Sequence, residues 1–226
     1  MKVTYLEHSG FAAEYKEYVL IFDWYRGSLP EFDQQKKIYV FASHSHYDHF
    51  NKKIFGWSEQ YPDVRYILSA DIAGKEQSER TVYVTANKKY DFDGIKVQTL
   101  QSTDEGVAFI VYMEDKVIYH AGDLNWWHWE EETESYNEQM RQDYQREIDK
   151  LKDIVIDIAF VPLDPRQENQ YAWGMDYFMK HTHTKYVFPM HMWGDYEVYD
   201  RLMENPEAEP YKERVIEVKN RGRYLK

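Results

Sequence analysis

The chain has 226 residues, no cysteine and a formal net charge of −12 with histidine neutral, and aromatic side chains make up 17% of it. The lack of cysteine excludes disulfides, thiolate metal ligands and cysteine nucleophiles, and the acidic balance argues against nucleic acid as a partner. No window approaches about 18 uninterrupted apolar residues, and MKVTYLEHSGF lacks the apolar stretch of a signal peptide, so the expectation is a soluble, cytoplasmic protein without a membrane span.

Short strands separated by polar turns fill the first half. They are expected over 2–8, 11–15, 18–24, 37–43, 64–70, 80–86, 95–102, 107–114 and 116–122, with turns at Ser9-Gly10, Asp93-Gly94 and Glu114-Asp115. Met140, Tyr144, Ile148 and Leu151 recur every three or four residues, which predicts an amphipathic helix over 138–153. Weaker helical patterns cover 50–60, 169–181 and 195–204. IVIDIAFVPL (154–163) and KYVFPMH (185–191) read as strands buried on both faces. The basic end KNRGRYLK (219–226) reads as solvated. No repeat or linker interrupts the chain, so one domain over 1–226 is expected, with layered sheets and helices outside.

SHSHYDH (43–49) places His44, His46, Asp48 and His49 within six positions after an apolar strand. Packing has no use for four such groups, and three neighbouring rings would repel one another if charged. If the strand continues through His46, the first two imidazoles share one face and converge on one cation, while a turn carries Asp48 and His49 toward a second. Nitrogen and oxygen donors without thiolate suit Zn²⁺ best, with Mn²⁺ or Fe²⁺ as alternatives.

This motif resembles the H-x-H-x-D-H signature of the metallo-β-lactamase superfamily. VLIFDW (19–24), YHAGDL (119–124) and FPMHMWG (188–194) follow its pattern in order, and LEHSGF (6–11) is similar to the opening of its UlaG-like metal-dependent hydrolase branch. The resemblance implies an α/β fold, a four-layer αββα sandwich of the metallo-β-lactamase type. It implies His44 and His46 on a first metal, Asp48, His49 and His191 on a second, and Asp123 bridging them. Asp23 would orient a ligand through hydrogen bonds, and His8 would stand beside the metals or make one hydrogen bond in its turn. The family's further histidine is missing from LQSTDEGVAF (100–109). Extra water, Asp104 or His128 would complete the first metal's set, or that metal binds weakly and the protein holds one ion.

The remaining candidates are weaker. NWWHW (125–129) directly follows Asp123, and Trp126, Trp127 and His128 are expected to wall a substrate site. Arg166 meets either an anionic group or a surface partner. His120 reads as packing or as a supporting hydrogen bond, HTH (181–183) as a helix end, and Tyr171, Trp173 and Met175 as core. A metal-bound hydroxide attacking a small-molecule ester, lactone or phosphodiester, with Asp48 orienting the water and moving its proton, is the expected chemistry. A metal-binding scaffold or sensor without turnover is the alternative.

Overall fold

Apolar runs, the first three joined by two-residue turns, build residues 2–84 into a mixed sheet. The computed structural model describes residues 1–74, 78–219 and 222–225, and the chain divides into two units, one built on Met1–Thr85 and one on Ala86–Lys219. In the first unit, β1 (Lys2–Glu7), β2 (Gly10–Tyr15) and β3 (Tyr18–Phe22) form an antiparallel meander. Then β4 (Lys37–Ala42), β5 (Arg65–Ser69) and β6 (Thr81–Val84) continue it in parallel.

The ladder runs β1-β2-β3-β4-β5-β6, so β1, β3 and β4 all end on one edge. Val19, Ile21, Ile38, Val40 and Leu68 are wholly or almost wholly buried, and Ile54, from a 3₁₀ segment over Lys52–Glu59, packs with them. Trp24 and Trp57 meet edge to face there, with ring centroids 5.0 Å apart.

The second unit carries the other sheet, ordered β12-β11-β10-β9-β8-β7. Here β7 (Lys89–Phe92), β8 (Ile95–Gln101), β9 (Val107–Met113) and β10 (Lys116–His120) are antiparallel, while β11 (Val155–Pro162) and β12 (His183–Met190) run parallel to β10. The turns at Asp93-Gly94 and Glu114-Asp115 stand where the sequence puts them.

Between β10 and β11 lies α1 (Glu134–Ile148), between β11 and β12 lies α2 (Trp173–His181), and α3 (Glu197–Glu204) follows. Thr133 caps α1 by accepting the Tyr136 amide, so the helix begins four residues before its expected start at 138. Tyr144, Ile148 and Leu151 are fully buried, and the Tyr144 hydroxyl donates to the Gly174 carbonyl at 2.7 Å, tying α1 to α2. Tyr119 of β10 stacks on Phe178 of α2 at 5.0 Å.

Three expectations change. The chain's basic end holds β13 (Gly222–Leu225), which pairs antiparallel with β1 and so joins the first unit's sheet; Asn220, Arg221 and Lys226 lie outside the described residues. The edge of β1 offers backbone partners that a solvated tail would lack. Trp173 opens α2 and is 39% exposed, whereas Tyr171 and Met175 are buried as core. The HTH triplet is split: His181 ends α2, with its Nδ1 2.8 Å from the Tyr177 carbonyl, while His183 begins β12.

Candidate functional site

In both units the ligand-type residues stand just beyond the C-terminal ends of strands, the edge at which open α/β sheets present their chemistry. In the first unit, His8 follows β1, Asp23 follows β3, and His44 to His49 follow β4. His8 (φ 54°) and Asp23 (φ 44°) take left-handed backbone conformations that side chains other than glycine rarely adopt. Gly10 makes this corner possible, since a Cβ there would stand 2.9 Å from the Glu7 carbonyl oxygen and 3.2 Å from that of Asp23.

Asp23, wholly buried, organises the motif. Its Oδ1 accepts the Ser43 amide at 2.7 Å, and its Oδ2 accepts the Ser43 hydroxyl at 2.6 Å and the His49 Nδ1–H at 2.8 Å. Asp71 accepts the Ser45 amide at 2.6 Å. These carboxylates take backbone donors that would otherwise extend the ladder, so β4 stops at Ala42 and His44 and His46 stand on a loop rather than on a continuing strand. They converge nonetheless: His44 Nε2 and His46 Nδ1 are 2.9 Å apart. Two imidazoles on one tetrahedral zinc would stand about 3.3 Å apart at Zn–N distances near 2.05 Å, so this spacing fits a shared cation.

His8, Asp48 and His49 make a second cluster, with ligand atoms within 4.8 Å of one another and His8 Nε2 3.3 Å from Asp48 Oδ2. Burial, then the neighbouring His49, pushes the His44 imidazole from 6.5 down to about 3, so it is neutral at pH 7 and able to offer a lone pair. Burial alone would raise the Asp48 carboxyl. The hydrogen bond from His8 and the nearby His49 outweigh it and hold Asp48 well below the usual carboxylate range, as an anion. The neutral His44 imidazole and the anionic Asp48 oxygen are nitrogen and oxygen donors of the kind that suit a divalent cation.

The second unit repeats the device. Asp123 follows β10, Asp164 follows β11 and His191 follows β12, with His191 (φ 64°) and Trp193 (φ 55°) again left-handed. The Asp164 carboxylate, fully buried, accepts the His191 Nδ1–H at 2.8 Å, which turns Nε2 toward Asp123 Oδ1, 3.4 Å away. Burial would raise Asp164, but the bonds from His191 and Arg166 bring it down to about 2. Asp164 escaped the sequence reading, although PLDPRQ, like VLIFDW, places an aspartate directly after an apolar strand.

A cavity of about 210 Å³ is lined by Asp123, His191, Asp104, Trp127 and Arg166 among others. The Trp127 indole donates to the Asp123 carbonyl at 2.9 Å and stands edge-on to His191, with centroids 5.6 Å apart. Trp126 and His128 line a different cleft, of about 570 Å³, with Trp173. The expected wall is therefore divided, with Trp127 alone of the three beside Asp123.

The missing histidine acquires a clear setting. Thr103 Oγ1 donates to the Asn125 carbonyl at 2.7 Å and accepts the Asn125 amide at 3.0 Å, clasping the loop after Asp123. Of the two stand-ins, Asp104 shares a cavity with Asp123, while His128 packs on Trp173 at 4.9 Å in the other cleft. His120 is buried, and its Nδ1 accepts the Gly122 amide at 3.1 Å, a supporting bond in the turn before Asp123.

A family model described as the β-lactamase superfamily domain matches residues 2–139. The chain belongs to the metallo-β-lactamase superfamily. Among solved structures, Igni18, described as a novel metallo hydrolase from the archaeon Ignicoccus hospitalis, superposes with a TM-score of 0.67 at 16% identity, covering 99% of this chain and 97% of its own. YhfI of Bacillus subtilis, a metallo-β-lactamase fold protein, gives 0.66 at 13% identity, covering 99% and 98%. These likenesses show the metallo-β-lactamase fold, with two mixed sheets and flanking helices.

A UPF0173 metal-dependent hydrolase of Desulforamulus reducens is 28% identical over 141 residues, 54% of this chain. The match spans 62% of that relative's length, less than two thirds. No helix among the described residues is long and apolar enough to cross a membrane.

Proposed function

We propose that the protein is a metal-dependent hydrolase that acts on an ester, lactone or phosphodiester bond of a small molecule in the cytoplasm, with zinc as its metal. The observation that carries this reading is the set of imidazole and carboxylate groups at the strand ends, buried except for the exposed His46, in which Asp23 fixes His49 by its Nδ1–H. The name of the Desulforamulus reducens relative supports it.

His44, His46, Asp48 and His49 are the proposed ligands from the first unit. The superfamily's pattern adds Asp123 and His191 to the same centre, and the chain from 1 to 226 is proposed to act as one domain. A divalent cation bound there supplies a water of lowered pKa and polarises the electrophile's oxygen.

The chain's own groups do the rest. Asp48, held anionic, accepts a hydrogen bond from the attacking water, orients it and takes up its proton, while His8 Nε2, 3.3 Å away, steadies the carboxylate. Trp127 covers His191 and excludes bulk water from that side. Zinc loading followed by a panel of lactones, phosphodiesters and thioesters tests the proposal. Turnover that Asp48→Asn abolishes with the metal retained is the expected result; no turnover by fully loaded protein on the whole panel favours a scaffold.

A further inference from the structure

Arg166 has a setting unlike that of a surface arginine. Its Nε lies 3.0 Å from both Asp164 oxygens, and its Nη2 is 2.6 Å from Oδ2. The Asp164 side chain is 0% exposed and also binds His191 and the Trp193 indole, so this anchor cannot wander. The guanidinium lies over the Trp193 ring, 4.5 Å from its centroid, and 5.9 Å from that of Trp129. A mobile ion pair at the surface contributes little. Here a planar cation is held in one orientation on one edge, while 48% of its side chain stays exposed.

That cation lines the 210 Å³ cavity beside Asp123 and His191, and among the cavity's lining residues it is the one permanent positive charge. Trp127 and Trp129, parallel within 6° at 5.9 Å, and Met140 give the same cavity apolar walls. A rigid guanidinium next to apolar walls is the recognition chemistry of a small molecule with an apolar body and an oxyanion at one end.

We propose that the substrate of this site carries a carboxylate or phosphate group, received by Arg166 next to the scissile bond. The inference rests on the hydrolase reading above and names its substrate class; Arg166 acts as a specificity residue. Its position follows from the Asp164 anchor, and its fork matches the two oxygens of a carboxylate or phosphate better than an ammonium would.

Binding to the zinc-loaded full chain tests it without turnover, using benzoate and phenyl phosphate against the neutral benzamide, read by calorimetry and tryptophan fluorescence. At least one anion should bind about tenfold or more tightly than benzamide, as a charge-assisted hydrogen bond in a partly dry site provides. Whichever anion shows the preference separates a carboxylate substrate from a phosphate one. Arg166→Gln and Arg166→Met should both abolish the preference with zinc content unchanged. Equal binding of all three probes by the wild type, or a preference that survives in either zinc-replete variant, overturns the proposal. A negative hydrolysis panel beside a clear anion preference would remove the hydrolase reading and leave the anion site standing, and the converse would do the opposite.

Discussion

Asp23 and Asp164 perform the same task in separate units. Each is fully buried, follows an apolar strand and takes the Nδ1–H of a histidine whose Nε2 is thereby presented for coordination. A buried anion of this kind is stable only because several donors surround it. His49→Ala and His191→Ala should each lower bound zinc, measured by plasma emission after dialysis, and lower the thermal midpoint with it; unchanged zinc in both variants would remove them as ligands. The motif residues were legible because their spacing alone is improbable for packing. Asp164 was not, because its partner His191 lies a helix and a strand away in sequence, and only the parallel pairing of β11 with β12 brings the two strand ends together.

Among the elements, pairing of β1 with β2 sets Lys2 opposite Glu14, and Lys36 also reaches that carboxylate. Burial alone would raise the Glu14 carboxyl, but the two lysines prevail and lower it below its ordinary 4.5. A carboxyl depressed in the folded state adds stability above its unfolded value, and that stability is lost as the pH falls through the folded one. Glu14→Gln should therefore cost about 0.2–1 kcal/mol near pH 6 and progressively less below pH 4.5, measured by urea unfolding across that range. A constant difference at every pH would show that the charge is not responsible.

Strands with continuous apolar runs, such as β3, β4 and β11, stand within two residues of their expected bounds. The strands that went unread were β7, KYDF, and β13, GRYL, each four residues long. Both owe their conformation to the neighbouring strand, since their own composition reads as turn or tail.

At the scale of the molecule, ligands drawn from several strand ends would make cation binding part of folding. Removing the metal by chelation should lower the thermal midpoint by roughly 5–10 °C, taking about 2.7 kcal/mol at a hundredfold excess over Kd and 2–4 °C per kcal/mol for a chain of this size. Scanning calorimetry with graded zinc added back should recover the loss in a concentration-dependent way. A midpoint indifferent to chelator would mean that the folded chain binds no ion in preference to the unfolded one.

The return of β13 to the outer edge of β1 has a consequence for biogenesis. Residues 2–5 find their partners at 222–225 only after everything between has been made. On the ribosome, the opening strand must therefore wait with one side of its backbone unsatisfied while Ala86–Lys219 emerges and folds. Late closure of this kind makes the edge of β1 the place where a nascent or C-terminally clipped chain is most open to strand exchange with its neighbours.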